Sequence, residues 1–221
     1  LLNENRIIVK EGLKKIRKNK ANKGIQSLID IYDIDNKDLS SDDIGFKVGP
    51  CINASGRLGS ARPPLELLLT DDSKRRNELA YDLYNNNQKR KKITKKIYNN
   101  LVDKINKDRN VIVAEGKMQR GLVGLIAGRL QSRFKKPVIA VDKLSNKGSA
   151  RSIEPFNIYE NLKKCDKEDL LENAGGHAMA AGLSVKNNKL QEFKNRINEL
   201  AEGIDFKLYD WDLKIDISRV T

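Results

Sequence analysis

Between Glu4 and Ile31 the apolar residues Ile7, Ile8, Leu13, Ile16, Ile25, Leu28 and Ile29 recur at helical spacing, broken at Lys23-Gly24, which predicts a small helical block. Ser40-Ser41-Asp42-Asp43 then offers an N-cap ahead of Ile44-Gly45-Phe46. After it Gly49-Pro50, Gly56, Gly59, Pro63 and Pro64 predict an extended loop. From Ser73 to about Asn106 there is no Gly or Pro, and Leu79, Leu83, Ile93, Ile97, Leu101 and Ile105 recur mostly four apart, predicting one long exposed helix. Asp71-Asp72 stands where a carboxylate would cap it. Such a helix between apolar-rich blocks reads as a connector, dividing the chain near residue 108. Beyond it the period alternates: a strand over Val111–Ala114, a helix over Gly121–Phe134, strands over Pro137–Val141 and Ser149–Ile153, helical stretches, a strand over Leu183–Val185 and a last helix over about Lys189–Ala201. That is an α/β domain. A strand-like alternation, Leu213, Ile215 and Ile217, closes the chain, and with Leu1 at the start the sequence reads as a fragment cut at both ends.

Composition adds a partner class. The 221 residues are 38% hydrophobic, enough for real cores, and the longest apolar stretch, Leu122–Ala127, is far too short to cross a bilayer. Without a secretory signal the expected location is cytoplasmic. Cys51 and Cys165 stand alone and far apart, matching neither a disulfide framework nor paired zinc ligands, and are expected to be reduced and structural. Lys and Arg total 43 against 30 Asp and Glu, a net charge of +13 that attracts polyanions by counterion release, nucleic acid first among them. The run Lys89, Arg90, Lys91, Lys92, Lys95 and Lys96 reads better as a solvated helix face than as a dedicated DNA contact.

Three segments carry candidate chemistry. Gly175-Gly176-His177-Ala178-Met179-Ala180-Ala181-Gly182 combines two glycines, the single histidine and small residues. Read as a tight turn, it is a phosphate cradle; the plainer alternative is a glycine turn around a buried histidine. In Lys147-Gly148-Ser149-Ala150-Arg151-Ser152, strand alternation puts Ser149 and Arg151 on one face, where both can reach one phosphate, with Ser152 on the other. An exposed strand edge with a solubilising arginine is equally compatible. In Gly49-Pro50-Cys51-Ile52-Asn53-Ala54-Ser55-Gly56-Arg57-Leu58 a stiff loop would present Asn53 and Arg57 to a strand backbone, or Asn53 would bond only its own backbone. One histidine cannot supply the imidazoles of a two-metal hydrolase, so no metal site is expected within the chain.

Together these segments resemble the RecJ family of single-strand-specific exonucleases, in the DHH phosphoesterase superfamily. The Asn-Ala-x-Gly-Arg segment before a long helix, the Gly-x-x-Gly-Leu-Ile-Ala-x-Arg-Leu helix around Gly121–Leu130, the Gly-Ser-Ala-Arg-Ser strand and the Gly-Gly-His-x-x-Ala-Ala-Gly segment occur in family order over nearly the whole chain. The Gly-Gly-His segment is shared with other DHH phosphoesterases and loosely with alanyl-tRNA synthetases, whereas Asn53 to Arg57 favours RecJ. The resemblance implies residues 1–62 as the mainly helical tail of a catalytic DHH domain, 63–108 as the connector, 109–203 as the DHH-associated substrate-binding domain and 204–221 as the lead-in to an oligonucleotide-binding domain. It implies 5′-to-3′ digestion of single-stranded DNA in repair and recombination. The parent would use Mn²⁺ or Mg²⁺ held by N-terminal motifs that this chain lacks, leaving the chain inactive alone and without a cofactor of its own. His177 and Arg151 would steady the phosphate or transition state, with Asn53, Arg57, Arg120, Ser149, Ser152, Gly175 and Gly176 as further DNA contacts. A recombination helicase or single-strand-binding protein is the implied protein partner. Two departures matter: Lys117-Met118-Gln119-Arg120-Gly121 stands where the family has Trp-His-Pro-Gly, so Arg120 would replace a lost histidine, and Cys51 stands where a basic residue is expected. The competing readings are a DHH phosphodiesterase of short oligonucleotides or cyclic dinucleotides, and a non-catalytic nucleic-acid-binding module.

Overall fold

The computed structural model describes residues 3–206, in two compact units, one through Lys96 and one from Ile97 onward. The alternation at Leu213, Ile215 and Ile217, and most of the 204–221 lead-in, lie outside the described residues.

The first unit is helical: α1 (Asn3–Arg17), α2 (Lys23–Ile31), α3 (Ser41–Asp43), a wide turn (Ile44–Val48), α4 (Gly49–Leu58), α5 (Arg62–Leu69) and the body of α6 (Ser73–Val102). Side chains close the helix starts as the sequence suggests. Ser40 and Asp43 form a reciprocal capping box, and the Asp72 carboxylate accepts from the Lys74 and Arg75 amides at 2.9 and 3.3 Å. Leu28, Ile29, Leu39, Val48, Cys51, Leu67, Leu79, Ala80 and Leu83 form the core. A methyl at Gly24 would stand 2.4 Å from the Leu67 carbonyl, so this glycine lets α2 lie directly on α5.

The loop expected from Gly49 to Pro64 is instead α4 and the start of α5. The prolines mark helix beginnings. Pro50 falls just after a wide turn in which the Gly49 amide already reaches back to the Ile44 carbonyl, and Pro63 and Pro64 occupy the first turn of α5, where no amide donor is required. Burial of Cys51, Ala54 and Ser55 at helical spacing then holds α4 in place.

In the second unit β1 (Ile112–Gly116), α7 (Val123–Phe134), β2 (Val138–Asp142), β3 (Lys147–Arg151), α8 (Ile158–Lys167), β4 (Leu171–His177), β5 (Ala180–Val185) and α9 (Leu190–Glu199) build one five-stranded sheet in the order β1-β2-β3-β5-β4. β1 and β2 run parallel and the other pairs antiparallel. The expected mixed α/β class therefore holds. One face packs Ile112, Ala114, Val138 and Ala140 against α7 and the end of α6. The other packs Ile139, Val141, Ala150, Ala181, Leu183 and Val185 against α8 and α9. Both cysteines are free and buried, and burial pushes the Cys165 thiol up to about 12. No helix among the described residues is long and apolar enough to cross a membrane.

The segment read as a glycine turn is a hairpin: Gly175, Gly176 and His177 are the last residues of β4, and only Ala178 and Met179 turn. Glycine is unfavourable in strands, so composition points elsewhere, but here the residues opposite, Ala180, Ala181 and Gly182, are equally small and complete the ladder.

Candidate nucleic-acid interface

Strand pairing aligns the conspicuous residues in two cross-strand rows. Arg151, Ala180 and His177 stand opposite one another across β3, β5 and β4, and Ser149, Gly182 and Gly175 form the next row. Paired residues project to the same face. On that face α7 packs over β2 and β3, while the opposite face of β4 and β5 is covered by α8. The face of β4 and β5 beside α7 carries Gly175 and Gly182, both exposed, and a Cβ built on either meets nothing within 4 Å. The result is an open floor without side chains, bordered by Arg151, Ser149 and His177.

Arg151 and Ser149 are held at the wall of this floor. The Arg151 guanidinium donates to Ser149 Oγ at 3.0 Å and to the Ala150 carbonyl at 2.8 Å. A Cβ at Gly124 would lie 3.2 Å from Arg151 Nη2 and 3.3 Å from Ser149 Oγ, so the glycine in the first turn of α7 lets both polar groups rest against the helix start. There the helix dipole adds partial positive charge to the guanidinium. The segment entering α7 is fixed by Asp142, which accepts from the Met118 amide at 3.0 Å and from the Ser145 amide and hydroxyl at 3.1 and 2.7 Å. Burial works to raise this carboxyl, but those donors outweigh it and hold the group below the ordinary carboxylate range.

His177 is exposed, which removes the reading of a buried structural histidine. Its Nδ1 accepts from the Met179 amide at 3.4 Å, so a neutral ring carries its proton on Nε2, ready to donate. The hairpin is tied down on both sides, the Ser152 amide reaching the Met179 carbonyl at 2.9 Å and the Ile158 amide the Ala178 carbonyl at 3.0 Å. Arg151 and His177 lie two strands apart, about 10 Å between backbones, a span that both side chains can close over Ala180 onto one phosphate. Among the described residues no carboxylate forms an ion pair with Arg151, His177 or Arg120, whereas Arg75, Lys143, Lys194 and Arg196 are all so engaged.

The remaining sequence candidates fall elsewhere. Ser152 is buried and its hydroxyl donates to the Phe156 carbonyl at 2.6 Å, so it supports the strand end from beneath. Gly175 and Gly176 differ: Gly176, at φ +151°, would drive a Cβ to 2.3 Å from the Ala180 carbonyl. Arg120 is exposed in the short turn Arg120–Leu122 ahead of α7. Asn53 and Arg57 belong to the first unit, both exposed on α4 four residues apart, one helical turn, on a helix rather than a loop. Nearby, Asn87 donates to Cys51 Sγ and Tyr32 Oη at 3.5 Å and accepts two bonds from Arg90 at 2.9 and 3.1 Å. Burial and the charge of Arg57 both lower the Arg90 pKa, so two guanidiniums neighbour each other here. Pattern reasoning gave no role to Gly124 or Asp142, whose contacts reach residues distant in sequence, while Arg90 and Gly182 appear in the sequence only as members of a lysine-rich run and of the glycine segment. Among the described residues no group of three or more His, Cys, Asp or Glu is placed to hold a metal ion. The residues at hand do not fit a divalent-metal centre.

Comparison with known proteins shows what the chain as a whole is similar to. The DHHA1 domain family matches residues 108–203. The single-stranded-DNA-specific exonuclease RecJ of Bacillus subtilis (strain 168) is 33% identical over 92% of the chain, and that of Escherichia coli (strain K12) 33% identical over 96%. The chain spans only 26% and 39% of these two relatives. Among solved structures, RecJ of Thermus thermophilus in complex with Mn²⁺ superposes with a TM-score of 0.81 at 31% identity, covering 89% of this chain and 29% of that one. The chain therefore carries a DHHA1 domain at residues 108–203 and is homologous to the RecJ single-stranded-DNA-specific exonucleases along about nine-tenths of its length.

Proposed function

We propose that the open sheet face holds the sugar-phosphate backbone of single-stranded DNA for a 5′-to-3′ exonuclease of the RecJ kind, acting in DNA repair and recombination. The observation that carries this reading is the bare Gly175 and Gly182 floor bordered by the Arg151 and His177 row. A floor without side chains admits a phosphate to the backbone. Arg151, Ser149 and the Nε2 of His177 donate to its oxygens, and the start of α7 favours the negative charge. Arg120 is a further contact in the same unit, and Asn53 and Arg57 on α4 of the first unit are separate contacts to the DNA. His177 and Arg151 also stabilise the charge that builds on the scissile phosphate, while the hydrolytic metals, Mn²⁺ or Mg²⁺, are held by parts of the parent enzyme other than the described residues. The chain alone does not hydrolyse DNA.

Single-turnover cleavage of a 5′-phosphorylated oligothymidylate by the full-length parent, compared between the parent and its Arg151→Ala and His177→Ala forms, tests the assignment. Slower cleavage with an unchanged melting temperature supports it. Unchanged cleavage in both variants would remove it.

A further inference from the structure

The sheet has a second feature, on the far edge from the proposed DNA face. β1 is an edge strand, and in its parallel pairing with β2 the residues Ile112, Ala114 and Gly116 turn their backbone groups inward: the Ile112 amide bonds the Pro137 carbonyl and the Lys143 amide bonds the Gly116 carbonyl. The alternate residues Val111, Val113 and Glu115 therefore face outward. Asn198 of α9 occupies the first of these positions much as a neighbouring strand would, its carbonyl oxygen accepting from the Val111 amide and its side-chain amide donating to the Val111 carbonyl, both at 3.0 Å. Among the described residues no hydrogen bond reaches the outward amides and carbonyls of Val113 and Glu115. They open into a cavity of about 580 Å³, between the last turns of α6 and α9.

The lining of this groove selects its occupant. Among the described residues its apolar wall is Ile97, Leu101 and Ile105, and its rim carries Lys104, Arg109, Lys117, Lys143 and Lys194 against one carboxylate, Glu115. Glu115 is held between Lys143 at 3.2 Å and Lys194 at 3.3 Å, leaving Lys104, Arg109 and Lys117 to set an electropositive rim. Lysines beside an open edge also deter chance pairing with other strands. A cavity of this size beside half-filled edge positions goes further, because the same cations that repel basic and neutral strands favour an acidic one. Among the described residues no aromatic side chain lines the groove, so they offer none of the stacking surface that holds the bases of a single nucleic-acid strand. Alternating backbone donors and acceptors are matched best by another peptide backbone.

We infer that the β1 edge is a docking groove for an extended, acidic and aliphatic peptide segment of a partner protein, which adds a strand beside Val113 and Glu115. This groove is separate from the proposed DNA face, and the inference stands or falls without it.

The test uses the chain with a fluorescein-labelled synthetic peptide of alternating aspartate and leucine, read by anisotropy and by amide hydrogen exchange. Three comparators accompany it: the same peptide methylated on alternate backbone nitrogens, a lysine-for-aspartate version, and an oligothymidylate of equal charge. Binding by the acidic peptide at least about tenfold tighter than by the methylated and lysine versions is expected. Exchange should slow at the Val113 and Glu115 amides with the acidic peptide alone. The double variant Lys104→Glu, Lys117→Glu, at two exposed positions outside the Glu115 ion pairs, should weaken binding by a similar factor with an unchanged melting temperature. Equal binding of the methylated peptide would reduce the effect to surface charge and overturn the inference. So would protection of the same two amides by the oligothymidylate, which would make the groove a nucleic-acid site, or binding without protection at either amide.

Discussion

Replacing Gly182 by leucine isolates the floor of the proposed DNA face from the groups around it. A Cβ added at Gly182 meets nothing within 4 Å, and the residue sits in β5 between Ser149 and Gly175. Leucine therefore starts into open space, and the exchange should alter stability by no more than about 1 kcal/mol, the span of strand preferences. The same side chain stands where a phosphate would approach Arg151 and His177. Losing both charge-assisted hydrogen bonds, each roughly 1.5–3 kcal/mol, amounts to about 3–6 kcal/mol. At about 1.4 kcal/mol per factor of ten, that is a loss of at least a hundredfold in affinity. Gly176→Ala supplies the contrast. This neighbour lies on the packed face at φ +151°, and its Cβ would come within 2.3 Å of the Ala180 carbonyl. Backbone strain of roughly 1–3 kcal/mol and a similar cost of overpacking should lower the melting temperature by roughly 10 °C or more. Thermal melts and anisotropy with a 5′-phosphorylated oligothymidylate, run on both variants, separate the two roles. Parental affinity in Gly182→Leu would refute the reasoning, as would a Gly176→Ala protein no less stable than Gly182→Leu.

Arg151→Ala and His177→Ala should each weaken oligonucleotide binding by roughly 1.5–3 kcal/mol, with melting temperatures close to the parent's because neither group is buried, which titration and melting of the same samples check. Asn198→Ala strands the Val111 amide and carbonyl and should cost roughly 2–4 kcal/mol in urea unfolding, while DNA affinity stays unchanged. Asp142 is depressed in the folded chain, so its stabilising share is complete above the unfolded carboxylate value of about 4 and disappears as pH falls through the lower folded value. The stability gap between the parent and Asp142→Asn, measured by urea unfolding from pH 7 downward, should accordingly close at acid pH; a gap that widens there would contradict the role given to Asp142. Binding of single-stranded DNA should weaken steeply as salt rises, and an affinity indifferent to salt would speak against phosphate contacts.

Periodicity disclosed those elements whose burial is one-sided and uninterrupted. The four-residue recurrence of α6, the apolar strands β1 and β2 and the helix over Val123–Phe134 all follow from it. It failed where special residues serve a structure set by distant neighbours. Pro50 and Gly56 look like loop punctuation until the wide turn before α4 and the buried Cys51, Ala54 and Ser55 are known. Gly175 and Gly176 look like one turn until β5 supplies equally small partners, and then their roles divide, one opening the floor and the other permitting the backbone path. Strand alternation correctly placed Ser149 and Arg151 together and Ser152 apart, since a period of two needs no tertiary information. The wall supplied by Gly124, the bonds of Asp142 and the unfilled edge of β1 depend on residues far apart in the chain, and no local pattern encodes them.

Mapping the DNA contact on the chain itself tests the central claim most directly. Amide chemical-shift changes on adding a short 5′-phosphorylated oligothymidylate at low salt should centre on Ser149, Arg151, Gly175, His177 and Gly182 and fade as salt is raised. Changes confined to the lysine-rich stretch 89–96, with those five amides unmoved, would contradict the account.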